Sequence, residues 1–251
     1  MSSKVQSIHR PLTTLKKSVM EKRMDKVAFL KNIPLFAELS EHQLNQIAQD
    51  TMARRYKQGE IIFREGDPGQ VLYIIQAGQI RIFVNGMDGS ETSVILFGRP
   101  GELFGELSVI DGLPRSATAV ALEGTVLLIL GRESFRQHMR KMPQLAMNFM
   151  QVLSQRVRYN TQQIDGFASL TITQRLARKL LELAHDYGRV EEDGVFIDMQ
   201  ITQTTLAGML GATRERINRC LSEFRKSEWI STKQGYITIL DPEALRTAVS
   251  G

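Results

Sequence analysis

The most restrictive stretch of this chain runs from Tyr56 to Leu130, where short β-branched and aromatic runs alternate with glycines. The runs are IIF (61–63), VLYII (71–75), IRIFV (80–84), SVILF (93–97) and TVLLIL (125–130). Gly59, Gly66, Gly69, Gly78, Gly86, Gly89, Gly98, Gly101, Gly112 and Gly124 separate them. Strands recurring at intervals of roughly 8 to 12 residues, with glycine turns between them, predict an antiparallel barrel or jelly roll. With 251 residues, 42% of them hydrophobic, the chain can bury a real core and has room for two modest domains.

On either side the pattern changes. Residues 1–26 are basic and hold no sustained apolar period, which marks an N-terminal extension. A short helical region is expected from Asp25 to about Met52, carrying Leu30, Ile33, Leu35, Phe36, Leu44 and Ile47. Beyond Arg132 the glycines stop, and Pro143 suits the first turn of a helix. From there an apolar heptad runs Ala146, Met150, Leu153, Val157, Asn160, Ile164, Phe167. Such a run fits a coiled-coil seam between two parallel copies of the chain, in which a polar residue such as Asn160 fixes register. One helix packed on its own barrel would present a similar face. The pattern breaks at Asp165–Thr171, read as a hinge. The expected divisions are 27–142 for the β domain, 143–170 for a dimerisation helix and hinge, and 171–251 for a second domain. In that last part the sequence predicts a helix over Thr173–Tyr187 and two short helices within 201–226 joined at Gly211. A hairpin over 229–240, turning near Gln234-Gly235, follows.

The segment FGELSVIDGLPRSATA (104–119) carries the chemistry of the β domain. Gly105 lets the backbone approach a bound group, and a short helix starting at Glu106 would point free N–H groups at an anion. Arg115, nine residues after Glu106 and just after Pro114, returns to the same mouth. Its fork can neutralise a phosphate at two points. Ser116 adds a hydroxyl, and Glu106 can accept from a sugar hydroxyl. A pocket for a sugar phosphate fits these groups; a glycine turn with a surface Glu106–Arg115 salt bridge is the plainer alternative.

FGEL followed by PRSATA resembles the phosphate-binding cassette of cyclic-nucleotide-binding domains. The resemblance implies that Gly105, Glu106 and Leu107, with Ser108 beside them, face the ribose and phosphate. Arg115 would meet the cyclic phosphate, and Ser116 and Ala117 its oxygens. It also implies that Arg156, Asn160 and Thr161 on the long helix stand where cyclic-AMP-binding activators place their adenine-reading residues. Asn160 and Thr161 offer both donors and acceptors. The Glu106-to-Arg115 spacing matches that of cyclic-nucleotide-dependent kinase regulators and is one residue shorter than in the catabolite activator. Cyclic di-GMP therefore stands beside cyclic AMP as a candidate effector, and a ligand-independent DNA binder, in which the cassette is a relic, is the other alternative within the family.

In ITQTTLAGMLGATRERINRCLSEFRKSEWI (201–230), Leu206, Leu210, Ile217, Cys220, Leu221 and Phe224 form the inner faces of two crossing helices. The opposite face of the second helix carries Arg214, Glu215, Asn218, Arg219 and Ser222. Residues 203–226 hold five Lys/Arg against two Asp/Glu. In a major groove, arginine pairs with guanine O6/N7 and glutamate accepts from cytosine N4, each contact giving roughly 1 to 3 kcal/mol of discrimination. Thr202 and Thr213 lie at helix starts, where they cap the helix or meet phosphates.

TRERINR resembles the recognition helix of the cyclic-AMP receptor protein and fumarate–nitrate regulator family. Arg214, Glu215 and Arg219 fall on the family's R-E-x-x-x-R base-reading positions, and Arg216 and Asn218 join them in the expected DNA-binding set. The resemblance spans about residues 27–245. It implies an α+β fold: an antiparallel β-roll (jelly-roll) cyclic-nucleotide-binding domain, a long dimerisation helix and a C-terminal winged helix-turn-helix domain. It further implies a homodimeric regulator of transcription on inverted TGTGA-type half-sites, with RNA polymerase as a further partner.

Composition narrows what remains. The one cysteine, Cys220, excludes an internal disulfide, a cysteine-held iron–sulfur cluster and a multi-cysteine zinc site. His9, His42, His138 and His185 are scattered without metal-ligand spacing, and nothing resembles a haem-ligand pattern, so no metal or haem is expected. An enzyme acting on cyclic nucleotides would need metal ligands or a paired acid and base around the pocket, so catalysis is not expected. Lys16-Lys17-Ser18-Val19 faintly resembles a kinase-substrate site, but a kinase regulatory subunit leaves the DNA-reading helix unexplained. The net charge of +5 lies wholly in residues 1–26, which hold seven Lys/Arg against two Asp/Glu. Bulk charge therefore says nothing about DNA binding by the folded part. No apolar block approaches the ~18 to 20 residues needed to cross a bilayer, nor is there a signal-peptide pattern at the start. A cytoplasmic location without a membrane partner is expected.

Overall fold

The computed structural model describes residues 26–86 and 91–250; most of the basic extension, including Lys16-Lys17-Ser18-Val19, lies outside the described residues. Residues 26–31 are helical (α1), a 3-10 turn follows at Pro34–Phe36, and α2 spans Glu41–Asp50. Ser40 starts α2 with a capping box: its hydroxyl accepts from the Gln43 amide while the Gln43 side chain accepts from the Ser40 amide. The strands β1 (Thr51–Tyr56), β2 (Ile61–Phe63), β3 (Val71–Ala77), β4 (Ile80–Asn85), β5 (Glu91–Phe97) and β6 (Leu103–Phe104) come next. A short α3 (Glu106–Asp111) precedes β7 (Thr118–Ala121) and β8 (Thr125–Gly131). They form two antiparallel sheets, ordered β1-β8-β3-β6 and β2-β7-β4-β5, that make up the expected roll.

β1 replaces the end of the helical region expected up to Met52. Its sequence, TMARRY, buries only Thr51 and Tyr56, so no apolar period marks it; pairing along its whole length with β8 holds it in place. β3 buries four consecutive residues, Leu72 to Ile75, because both of its faces are covered. Tyr73 and Ile75 point into the roll with Phe97, Phe104 and Leu127. Leu72 and Ile74 face an outer core built with α1, α2 and the start of the long helix.

After α4 (Arg132–Lys141), α5 runs from Pro143 to Ser169. Leu145 and Phe149 anchor it on the roll, and the Asn148 amide donates to the Leu35 and Ala37 carbonyls at 3.1 and 2.8 Å. Met150, Val157, Ile164 and Phe167 of the expected seam remain 45% to 70% exposed, an apolar stripe left open among the described residues. α5 continues through most of the segment expected as a hinge. The break narrows to Leu170–Thr171, because Thr171 caps the next helix through a second capping box with Gln174.

That helix, α6 (Ile172–Tyr187), opens the second domain. It is followed by β9 (Gly188–Glu191), β10 (Gly194–Ile197), α7 (Gln203–Leu210), α8 (Arg214–Lys226), β11 (Ile230–Lys233), β12 (Tyr236–Ile239) and α9 (Pro242–Ser250). The expected helix pair and hairpin are present. The sheet is larger than expected, ordered β11-β12-β10-β9, so α7 and α8 are an excursion between paired strands. Leu96 of β5 is buried in the core of this second domain. Among the described residues no helix is long and apolar enough to cross a membrane, and no His/Cys/Asp/Glu group is placed to hold a metal.

Candidate functional site

Between the roll and α5 lies a cavity of about 500 Å³. Its polar end is the segment 105–117. Gly105 stands at φ 73, a left-handed conformation that favours glycine, and turns β6 into α3. A Cβ there would come within 2.6 Å of Arg115 Nη1, so glycine also makes room for that guanidinium. Arg115 Nη1 donates to the Gly105 carbonyl at 2.6 Å and Nη2 to the Val71 carbonyl at 2.7 Å. The backbone of Arg115 is fixed as well: its amide donates to Asp67 O and its carbonyl accepts from the Gly66 amide.

Arg115 is 4% exposed, and its guanidinium lies 4.3 Å from the centre of the Phe63 ring and 5.6 Å from that of Tyr73. No carboxylate forms an ion pair with it among the described residues, and its buried Nε has no hydrogen-bond partner. Burial lowers the Arg115 pKa from its ordinary value, with Tyr73 and Glu106 acting against that shift. A desolvated cation without a counter-ion, on the wall of a cavity, is set up to receive an anion.

Glu106, 5% exposed, does not bond Arg115 as the plainer alternative required. Its carboxylate accepts from Arg156 Nη1 at 2.5 Å, and Arg156 Nη2 donates to the Leu103 carbonyl. The Arg156 guanidinium also lies 5.3 Å from the centre of the Phe97 ring. Arg156 is held by the Glu106 carboxylate and the Leu103 carbonyl, tying α5 to the start of α3. Leu107, Ser108, Ser116 and Ala117 line the cavity, and Asn160 reaches it from α5. Thr161 does not line it; its hydroxyl donates to the Val157 carbonyl at 3.0 Å. Phe63 and Tyr73, the rings against Arg115, carry no local signal in the sequence. Strand pairing brings them there, and only the register of the sheets would have revealed it.

The second cluster is on α7 and α8. Thr202 and Thr213 are their N-caps, accepting from the amides of Thr205 at 3.0 Å and Arg216 at 3.3 Å. Ile217, Cys220, Leu221 and Phe224 are buried, which turns Arg214, Glu215, Asn218 and Arg219 to solvent on one face. Glu215 is held below the usual carboxylate range by the backbone amide at the helix start and by the Thr213 hydroxyl. Asn218 accepts from Gln203 Nε2 at 3.1 Å, joining the two helices across their exposed edge. Arg216, also exposed, stands near Arg175, whose pKa is lowered first by burial and then by the Arg216 charge. An exposed, mainly cationic helix face beside a hairpin wing has the form of a major-groove reader.

Known proteins share both halves. Residues 53–142 match the family model of the cyclic nucleotide-binding domain, and residues 174–248 that of the Crp-like helix-turn-helix domain. The cyclic AMP receptor protein of Thermus thermophilus is 32% identical over 88% of this chain and 99% of its own length. The CRP-like cAMP-activated global transcriptional regulator of Mycobacterium tuberculosis is 30% identical over 76% of this chain and 84% of its own. The solved structure of the c-di-GMP-responsive global regulator CLP of Xanthomonas campestris shares the fold, with a TM-score of 0.68 and 21% identity over 80% of this chain and 99% of that one.

Proposed function

The chain belongs to the cyclic-AMP receptor protein and fumarate–nitrate regulator family of cyclic-nucleotide-binding transcription regulators, and from that premise we propose that it acts as a cyclic-AMP-gated homodimer on a TGTGA-type palindromic operator. The observation that carries the nucleotide half of this reading is Arg115, a buried guanidinium with an unpartnered Nε and no ion-pair partner among the described residues. Arg115 lines the cavity where a cyclic phosphate would stand, and Ser116 and Ala117 line it beside Arg115. Glu106 would exchange Arg156 for a ribose hydroxyl. Arg156 is then released from the cassette while remaining on α5, so occupancy of the cavity is communicated to the long helix. Asn160 would face the base.

The exposed stripe Met150, Val157, Ile164 and Phe167 supports pairing of two α5 helices. A dimer would present two α8 helices, each with Arg214, Glu215, Asn218 and Arg219, to successive major grooves, as inverted half-sites require. RNA polymerase as a further partner and a cytoplasmic location complete the reading. The nucleotide acts on DNA binding only to the extent that it prefers the DNA-competent arrangement.

The deciding experiment is calorimetry with cyclic AMP, cyclic GMP and cyclic di-GMP in parallel, followed by titration of an inverted TGTGA duplex with and without the best of them. Cyclic AMP should bind most tightly and raise duplex affinity. Preference for cyclic di-GMP would replace the effector, and equal duplex affinities would remove the gate.

A further inference from the structure

A second cavity, of about 480 Å³, lies behind the one lined by Arg115. Ile95, Phe97 and Arg156 stand in the walls of both, so the two cavities are back to back across these side chains. Pro34 of the 3-10 turn, Val152, Gln155 and Tyr159 of α5, and Leu183 of α6 close the second one. The α5 positions recur at steps of three and four, which puts them on one side of that helix. The seam residues Met150, Val157 and Ile164 are absent from this wall, so the cavity and the seam use different faces of α5. Its volume falls within the range of about 300 to 1,000 Å³ that small-molecule sites occupy.

The charged residues of this wall are already paired. Lys179, 3% exposed, donates to Glu182 Oε2 at 2.5 Å and to the Tyr159 hydroxyl at 2.7 Å. Arg99 pairs with Asp186 at 2.7 Å, and Arg156 with Glu106. Glu102 accepts from the Gly98 and Arg99 amides, both at 2.8 Å, and from the Tyr187 hydroxyl at 3.2 Å. Buried side-chain nitrogens without a partner occur, among the described residues, on Arg81, Arg115 and Arg175, and none of these lines this cavity. The nucleotide cavity is the opposite case, with the unpaired Arg115 cation on its wall. An ion entering the second cavity would shed its water and find each opposite charge taken. Apolar matter gains by leaving water, and Pro34, Phe97, Val152 and Leu183 offer it surface. One polar contact stays open: Tyr159 accepts from Lys179 through its oxygen and keeps its own proton to donate.

We propose that this cavity is a second small-molecule site, which takes an uncharged, mainly apolar molecule whose carbonyl oxygen accepts the proton of the Tyr159 hydroxyl. The ligand class follows from the contrast between neighbours: two cavities of similar size share a wall, yet a buried cation awaits a partner in one and every charge is satisfied in the other. Gln155, exposed and one turn before Tyr159 on α5, adds an amide that can donate or accept at the edge of the site. No single element holds such a ligand. Pro34 precedes the roll, Tyr159 stands on the long helix and Leu183 belongs to the second domain, so only the assembled chain recognises it.

The test titrates the full chain with two naphthalene fluorophores: prodan, an uncharged ketone, and anilinonaphthalene sulfonate, an anion. Binding that belongs to this cavity is the part removed by Val152→Trp or by Pro34→Trp, each of which projects a ring into it. Pro34 is on an exposed turn, so its variant keeps the test decisive if Val152→Trp fails to fold. Prodan should bind saturably, and the part sensitive to tryptophan should favour it over the sulfonate by about tenfold. Val84→Trp, which narrows the nucleotide cavity alone, should leave prodan affinity within about twofold. Tyr159→Phe should weaken prodan by about threefold to tenfold and move its emission to shorter wavelength, because the ketone loses its hydrogen-bond donor. No saturable prodan binding, binding that survives both tryptophans, or binding lost in Val84→Trp instead would overturn the site. Equal affinity for the sulfonate at the tryptophan-sensitive site would overturn the uncharged ligand class, and unshifted emission in Tyr159→Phe would overturn the contact with the hydroxyl.

Discussion

Replacing Arg115 with methionine keeps a long, buried side chain and removes the guanidinium. Two charge-assisted hydrogen bonds to a phosphate contribute about 1.5 to 3 kcal/mol each, so the variant should lose about 3 to 6 kcal/mol of nucleotide binding, or roughly 10² to 10⁴ in affinity. In the free protein the effects oppose one another. Methionine leaves the Gly105 and Val71 carbonyls without the donors that Nη1 and Nη2 supplied, but it also removes a desolvated cation whose Nε had no partner. The assay should therefore be differential: thermal unfolding of each protein with and without cyclic AMP, at a concentration of about 100 times the unmodified protein's Kd. Binding at that concentration stabilises by about 2.7 kcal/mol. For a chain of this size, with about 2 to 4 °C per kcal/mol, the unmodified protein should gain roughly 5 to 10 °C. The variant should gain less than about 2 °C under the same conditions. Arg115→Lys, which restores the charge but not the fork, should fall between them. If Arg115→Met retains the full shift, the buried guanidinium is not the anion site, and the argument from its missing counter-ion fails.

Other expectations follow from the same geometry. Glu106→Gln should weaken cyclic AMP by about tenfold to a hundredfold in calorimetry, the worth of one hydrogen bond to a charged group; unchanged affinity would remove Glu106 as the sugar acceptor. Arg219→Ala should cost about 1 to 3 kcal/mol of discrimination at a single base pair. A panel of duplexes changed one position at a time reads this, and a uniform loss across the panel would make Arg219 a phosphate contact instead. Burial raises the Glu102 carboxyl above its ordinary 4.5, against the pull of the Arg99 and Gly98 amides. The folded chain therefore binds the proton more tightly than the unfolded one. This contribution is fully present below 4.5 and is lost as pH rises from there through the raised value. Glu102→Gln should flatten that part of the stability profile in urea titrations at stepped pH, and an unaltered slope would assign the pH dependence to other groups.

That Gly105, Glu106 and Arg115 meet at one cavity was legible in the sequence because they are contiguous: they lie on one short turn–helix–loop, and local geometry alone brings them together. The helix pair was legible for the same reason, since the caps Thr202 and Thr213 and the inward set Ile217, Cys220, Leu221 and Phe224 are all local signals. Register was not legible. Phe63 and Tyr73 reach Arg115 through strand pairing, and Arg156 reaches Glu106 across 50 residues of chain. β1 carries no apolar period because it is solvent-exposed between its two ends. The long helix was expected to break near Asp165, yet Thr171 provides so complete a cap for α6 that the turn between the helices needs only Leu170 and Thr171. The covered outer face of β5 left no mark in the sequence, since burial by a second domain changes no periodicity within the strand.

The pairing of β10 with β12 has a consequence for how such a molecule can diversify. The helix pair α7–α8 lies between two neighbouring, hydrogen-bonded strands, so the segment between them is a replaceable bit held in a fixed chuck. New address preferences can be grafted there without refolding the rest. One restriction travels with each graft: a donor segment with any side chain at the position of Gly208 would meet the Glu91 carbonyl and Ser93 of β5 and could not lie so close to that strand.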